Sequence, residues 1–249
     1  MPSILDEIVA HKRKEVALWQ SQTSIDYWLE AAKPKPNEDA FRFERALRDP
    51  KTGLHLIGEL KPKSPSAGVL QETPDVAKII GAYNETCSAI SVLTDVHYFG
   101  GGFDLLENVK TLTTKPVLCK DFIIDLYQVL LAVASGADAV LLIMKCLDDF
   151  EYISLFEAIR SYGLTPVVEV QNEAELKRAL LPRPPVILIN NRNLSTFEIE
   201  KDTTRRLAPL CPEGTVIISA SGFTSLADAA EFTDIADAAL IGTALMKSF

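Results

Sequence analysis

The chain has 249 residues, is 47% hydrophobic and carries a formal charge of −9. That hydrophobic share supports a large core and excludes a disordered chain. The negative balance argues against nucleic acid or an anionic membrane as the main partner, but not against an anionic small molecule, because a pocket's local field can oppose the global one.

No apolar run approaches the roughly 18 residues of a spanning helix; the longest, around residues 139–144, is strand-sized. The opening residues, MPSILDEIVAHKRKE, mix charges with apolar positions and lack a signal-peptide stretch. A cytoplasmic location is the expectation.

In chain order, residues 4–16 place Ile4, Leu5, Ile8 and Val9 at helical spacing, and the polar, proline-broken KPKPNED at 33–39 is a linker. Residues 1–50 therefore form an extension folded over one end of the main body. Beyond it, short apolar, β-branched runs alternate with amphipathic stretches. The runs are 55–61, 89–95, 116–121, 139–144, 165–170, 185–191, 215–221 and 238–243. Helical patterns include 77–85, 103–112, 126–135, 149–162 and 173–181. Strands apolar on both faces and separated by helices imply a parallel sheet. Eight of them match a closed α/β structure, a (β/α)8 TIM barrel forming a single domain over 1–249 with an N-terminal helical extension. An open doubly wound sheet would want a Gly-rich first turn, which is lacking. The chain stops at residue 249, just past strand eight, where a barrel needs a closing helix; truncation, a longer natural chain and a reduced eighth helix all fit.

Cys87, Cys119, Cys146 and Cys211 form no C-x-x-C pair and are expected to be reduced and mostly buried. His11, His55 and His97 lack metal-ligand spacing, so no metal site is expected. Trp19 and Trp28 should pack the extension, and 99–102 reads as a flexible loop with Phe99 available to an aromatic pocket.

Barrel chemistry sits at the C-terminal strand ends. Glu59 and Lys61 end strand one and, being alternate, point the same way. Lys120 ends strand three, Glu169 strand five, and Asn190 and Arg192 strand six. One such residue could be a rim ion pair; the whole set at one mouth points to proton chemistry. A lysine crowded by another cation has a lowered pKa and suits a general acid, and a desolvated glutamate shifts upward and suits a base. Ser221-Gly222 after strand seven and Gly242-Thr243 after strand eight occupy the recurrent phosphate position of barrels, where glycine lets the backbone approach an anion.

Six motifs then carry a resemblance: LIGELKPKSPSAG (56–68), SVLTD..YFGG (91–101), PVLCKDFIID (116–125), GADAVLLI (136–143), INNRNL (189–194) and LIGTALM (240–246). In this order they resemble the indole-3-glycerol phosphate synthases of tryptophan biosynthesis, over all but the linker and termini. The resemblance implies a carboxy-lyase that closes an indole ring on 1-(2-carboxyphenylamino)-1-deoxyribulose 5-phosphate, losing carbon dioxide and water without metal or organic cofactor. It implies Lys120 as general acid, Glu169 as base for dehydration, and Lys61 on the substrate carboxylate or phosphate with a share of the later acid role. Glu59 and Asn190 would orient hydroxyls and lysines, with Arg192 holding the substrate region. Pro65, Phe99, Phe122, Leu141 and Leu194 would surround the anthranilate ring, and Ser64, Ser221, Gly222, Gly242 and Thr243 would line the phosphate end. A monomer, or fusion to or association with other tryptophan-pathway enzymes, is implied as well.

The chain departs from the family at several positions. The family's S-E-S-G after strand seven reads Ser219-Ala220-Ser221-Gly222, Val96-His97 stands where Glu-Lys is usual, and Leu188 where glycine is preferred. Three readings remain open: a synthase tolerating the lost carboxylate, an engineered or diverged barrel with altered chemistry, and a binding protein for a phosphorylated sugar.

Overall fold

The computed structural model describes residues 3–49, 53–64, 68–69, 74–194, 198–242 and 245, with backbone alone at 64, 68 and 69. Eight parallel strands close a barrel in chain order: β1 (His55–Leu60), β2 (Ala89–Leu93), β3 (Val117–Lys120), β4 (Ala139–Ile143), β5 (Thr165–Val170), β6 (Val186–Asn190), β7 (Val216–Ala220) and β8 (Ala238–Ile241). Closure comes from β1, which pairs β2 on one side and β8 on the other. Each expected strand is present, with its ends within one or two residues of those expected.

The strands read as continuous apolar runs because both faces are covered, and the period of two sorts their side chains into two cores. Inward residues such as Ile57, Leu118, Leu141, Val167, Leu188 and Ile218 fill the barrel. Outward ones such as Ile90, Val92, Val140, Leu142, Val168 and Ile187 pack beneath the helices. Each fully buried aliphatic side chain contributes about 1.5–3 kcal/mol.

The helices are α1 (Ile4–Gln22), α2 (Ile25–Ala31), α3 (Arg42–Arg48), α4 (Val76–Thr86), α5 (Val96–Phe99), α6 (Phe103–Leu112), α7 (Leu126–Ala134), α8 (Asp149–Ser161), α9 (Glu173–Ala179), α10 (Asp202–Leu207) and α11 (Leu226–Ala230). Their starts are chemically marked. Ser3 with Asp6 and Asp148 with Glu151 form reciprocal capping boxes on α1 and α8. No described helix is long and apolar enough to cross a membrane.

Two expectations change. Residues 99–102 are not a plain loop: α5 ends at Phe99, and Gly100 with φ +67 turns the chain out of it. The extension covers both barrel ends, not one. At the mouth, Leu5 and Ile8 of α1 join the barrel core beside Phe122 and Ile143. At the floor, Phe43 and Leu47 of α3 plug the interior, while Arg48 donates to the carbonyls of Gly214 and Pro185 and the Glu44 amide donates to Thr165 Oγ1. Between them Trp28 Nε1 donates to Tyr127 Oη at 2.7 Å and Trp19 packs edge-on to Phe103. A helical first segment is what spacing revealed; the wrap needs contacts far along the chain. Residues 246–249, past strand eight, lie outside the described residues.

Candidate active site

Alternation along the strands delivers Glu59, Lys120, Glu169, Asn190 and Ala220 to the inward face at the C-terminal mouth. With Lys61, Arg192, Phe99, Phe122, Leu194, Ser221, Gly222 and Gly242 they line one cavity of about 400 Å³. Two charge pairs organise it. Lys61 Nζ donates to Glu59 Oε1 at 2.5 Å, and Lys120 Nζ stands 3.9 Å from Glu169 Oε2. Asn190 Nδ2 donates to the other Glu169 oxygen at 2.8 Å, and its own Oδ1 accepts the Arg192 amide at 3.0 Å. Glu169 is 1% exposed, and its Oε2 has no hydrogen-bond partner among the described residues. A buried carboxylate oxygen without a partner calls for a donor, and a substrate hydroxyl entering the cavity could supply one.

The electrostatics of Glu59 differ from the simple expectation. Burial alone would raise the Glu59 carboxyl, but Lys61, Lys120 and Arg192 outweigh it and hold Glu59 below its ordinary value. Glu59 is thus an anion that steadies cations, which suits orientation better than proton abstraction.

Phe99 and Phe122 both line the cavity and pack against each other as a tilted pair, with ring centroids 6.0 Å apart and planes at 38°. At the opposite side Ser221 and Gly222 have φ of +71° and +86°, two successive left-handed residues. A Cβ at position 222 would lie 2.8 Å from Ile199 Cγ2, so this turn needs glycine for space as well as conformation. The Asn191 side chain donates to the Ser221 carbonyl and to Ser219 Oγ, and accepts from Thr204, anchoring the turn from behind.

One expected residue is displaced. Leu141, assigned to the ring pocket, is fully buried one layer deeper in the barrel, and Ile143, two residues on, takes the lining position. Pro65 and Thr243 lie outside the described residues, as does the side chain of Ser64. Leu93, Ile143, Leu240 and Phe223 also line the cavity; the first three sit at strand ends in the alternation that named the charged residues, and polarity alone had drawn attention away from them. The fully buried Lys12 on α1 gave no sequence signal because its two buried partners, Asp95 and Asp121, lie more than eighty residues away.

The model of the family described as indole-3-glycerol phosphate synthase matches residues 5–249. The chain belongs to this family. It is 40% identical over 258 residues to "Indole-3-glycerol phosphate synthase" of Variovorax paradoxus, covering 100% of this chain and 96% of that one. It is also 40% identical over 244 residues to "Tryptophan biosynthesis protein TrpCF" of Yersinia pestis, covering 98% of this chain but 50% of the relative. The chain therefore spans about half the length of such relatives. Among solved structures, a chain from the study "Structural basis of mutual activation of the tryptophan synthase a2b2 complex from a hyperthermophile, Pyrococcus furiosus" aligns with a TM-score of 0.58 at 16% identity, covering 78% of this chain and 88% of that one. This likeness concerns the fold alone.

Within the indole-3-glycerol phosphate synthase family the departures now have places. Ala220 lines the cavity, paired in register with Asn190 and Leu240, so a methyl stands where the motif carries a carboxylate. Three cations, Lys61, Lys120 and Arg192, then face two carboxylates, Glu59 and Glu169. Leu188 is buried inside the barrel below the site. Val96 and His97 lie on α5 outside the cavity, with His97 stacked on His11 at 4.3 Å.

Proposed function

We propose that the chain acts as an indole-3-glycerol phosphate synthase, a carboxy-lyase converting 1-(2-carboxyphenylamino)-1-deoxyribulose 5-phosphate to indole-3-glycerol phosphate, carbon dioxide and water. The observation that carries this reading is the Lys120–Glu169 pair at 3.9 Å inside a cavity walled by two phenyl rings on one side and a left-handed Ser221-Gly222 turn on the other. An acid, a base, an aromatic slot and an anion cradle are the four things this substrate requires.

In the first step the ring carbon bearing the carboxylate attacks the C2′ ketone. Lys120 donates a proton to the oxygen as alkoxide charge develops, and carbon dioxide leaves as the ring becomes aromatic again. In the second, the new hydroxyl leaves as water, with Lys61 sharing the acid role and Glu169 accepting the proton lost from the ring system. A positioned acid or base each supplies roughly 10²–10⁴-fold. Glu59 and Asn190 fix Lys61 and Glu169 so that neither has to be found during the reaction. Arg192 and Lys61 hold the anionic groups, with Ser64, Ser221, Gly222, Gly242 and Thr243 at the phosphate. Pro65, Phe99, Phe122 and Leu194 enclose the anthranilate ring.

Residues 1–249 act as one domain in the cytoplasm, alone or beside other tryptophan-pathway enzymes. The double-length relatives support the latter. The test mixes purified protein with the substrate and follows indole absorbance. Ala220 favours a second reading, a family barrel that binds the phosphorylated sugar without closing the ring; tight binding with no indole signal would select it.

A further inference from the structure

Lys12 of α1 is wholly buried, at 0% exposure. Its Nζ lies 2.8 Å from Asp95 Oδ2, 3.0 Å from Asp121 Oδ1 and 2.6 Å from Glu15 Oε2. Both aspartates are also buried, and each is tied to a turn that enters the candidate site. Asp95 Oδ1 accepts the amides of Tyr98 and Phe99 at 2.6 and 3.2 Å. Asp121 Oδ1 accepts the Phe122 amide at 2.8 Å, its Oδ2 accepts Thr94 Oγ1 at 3.1 Å, and it follows Lys120 directly in the chain. A single ammonium thus joins the turn after β2 to the turn after β3, and the tilted Phe99–Phe122 pair and Lys120 stand at these turns.

We infer that Lys12 is a positioning residue that sets the spacing of Phe99 and Phe122, and with it the seat of the substrate's aromatic ring against Lys120. This rests on the function proposed above. Three further observations converge on it. Leu5 and Ile8 of the same helix pack in the core cluster that contains Phe122, with Phe99 against it. His11 stacks on His97 and meets Tyr98 edge-on, so α1 grips α5 beside the clamp. Burial would lower the Lys12 ammonium, but Asp121 and Asp95 outweigh it and hold it above its ordinary value, so the tie stays charged at neutral pH. Two buried carboxylates without this cation would repel each other and loosen both turns.

The experiment compares the parent chain with Lys12→Met and Lys12→Arg in steady-state indole formation, with circular dichroism to confirm folding. Lys12→Met is expected to raise KM at least tenfold and lower kcat by less, with Lys12→Arg recovering most of the loss. A merely structural lysine would reduce the folded fraction and leave the KM of the remaining enzyme unchanged. A folded Lys12→Met with KM within twofold of the parent overturns the inference. Should that variant not fold, Asp95→Asn carries the test, being isosteric and one buried charge fewer: a threefold rise in KM is expected and an unchanged KM overturns it. If the parent forms no indole, the proposed function fails instead. The Kd of the borohydride-reduced substrate then replaces KM, with the same expected and overturning ratios.

Discussion

Asn190 donates to one oxygen of Glu169 at 2.8 Å while the other, 3.9 Å from Lys120, has no hydrogen-bond partner among the described residues. The carboxylate is thereby divided into an anchored half and a half turned toward the lysine. That division fixes which oxygen can receive a proton and from which side.

Lys120→Met tests the acid. Turnover should fall on the order of 10²–10⁴-fold, as for loss of a positioned proton donor. The reduced substrate analogue should bind within about tenfold of the parent, because Lys61 and Arg192 still hold its anionic groups. Indole fluorescence and a titration measure the two; near-normal turnover would remove Lys120 from the mechanism.

Gly242, proposed for the phosphate end, also governs the position of Glu59. A Cβ there would collide with Glu59 Oε1, so Gly242→Ala should push Glu59 away from Lys61. Misplacement by about 1 Å can cost on the order of 10²-fold, and kcat/KM should fall by that order with only a modest change in thermal midpoint. A variant as active as the parent would show that the Glu59–Lys61 contact is dispensable.

Ala220→Glu restores a carboxylate at a lining position in register with Asn190. Turnover should be preserved or raised, since the added anion balances three cations against three carboxylates. A loss of tenfold or more would mean that this cavity has adapted to the methyl.

Glu59 also makes a pH prediction. Its carboxyl is held below the ordinary 4.5, so the stability it contributes is present above that value and lost as pH falls through the lower, folded pKa. Glu59→Gln should therefore be less stable than the parent at about pH 7, with the gap closing as pH falls below the ordinary 4.5. Urea midpoints across that range decide it; a constant gap would show that the effect is packing, not charge.

Asp138, at the opposite end of the barrel, should separate stability from activity. It pairs with Lys110 at 2.6 Å and Lys35 at 3.3 Å, and accepts the Val117 amide at 2.9 Å. Both lysines are 19% exposed, so Asp138→Ala should cost about 2 kcal/mol, less than a fully dry pair. KM should not move. A large change in KM with unaltered stability would contradict the division between mouth and floor.

Much of this architecture was readable from periodicity. Inward residues such as Glu59, Lys120 and Glu169 follow from alternation once the strands are placed, and the structure gathers them in one cavity. Leu141 shows the limit: which layer an inward residue occupies depends on where the strand ends relative to its neighbours, and register is a property of the closed sheet. The short α10 and α11 were not anticipated, since six and five residues carry little periodic signal. Lys12 was invisible for a different reason. A buried charge is recognisable only beside its counter-charges, and the two buried ones, Asp95 and Asp121, are contributed by distant turns.

Because α1 grips the mouth and α3 corks the floor, residues 3–49 behave as a bivalent strap around the βα repeat. Either grip, once made, holds the other at an effective concentration on the order of millimolar. Cutting the strap between its two grips would leave each piece to bind as a free peptide, and the aromatic slot above and the hydrophobic interior below would open independently of each other.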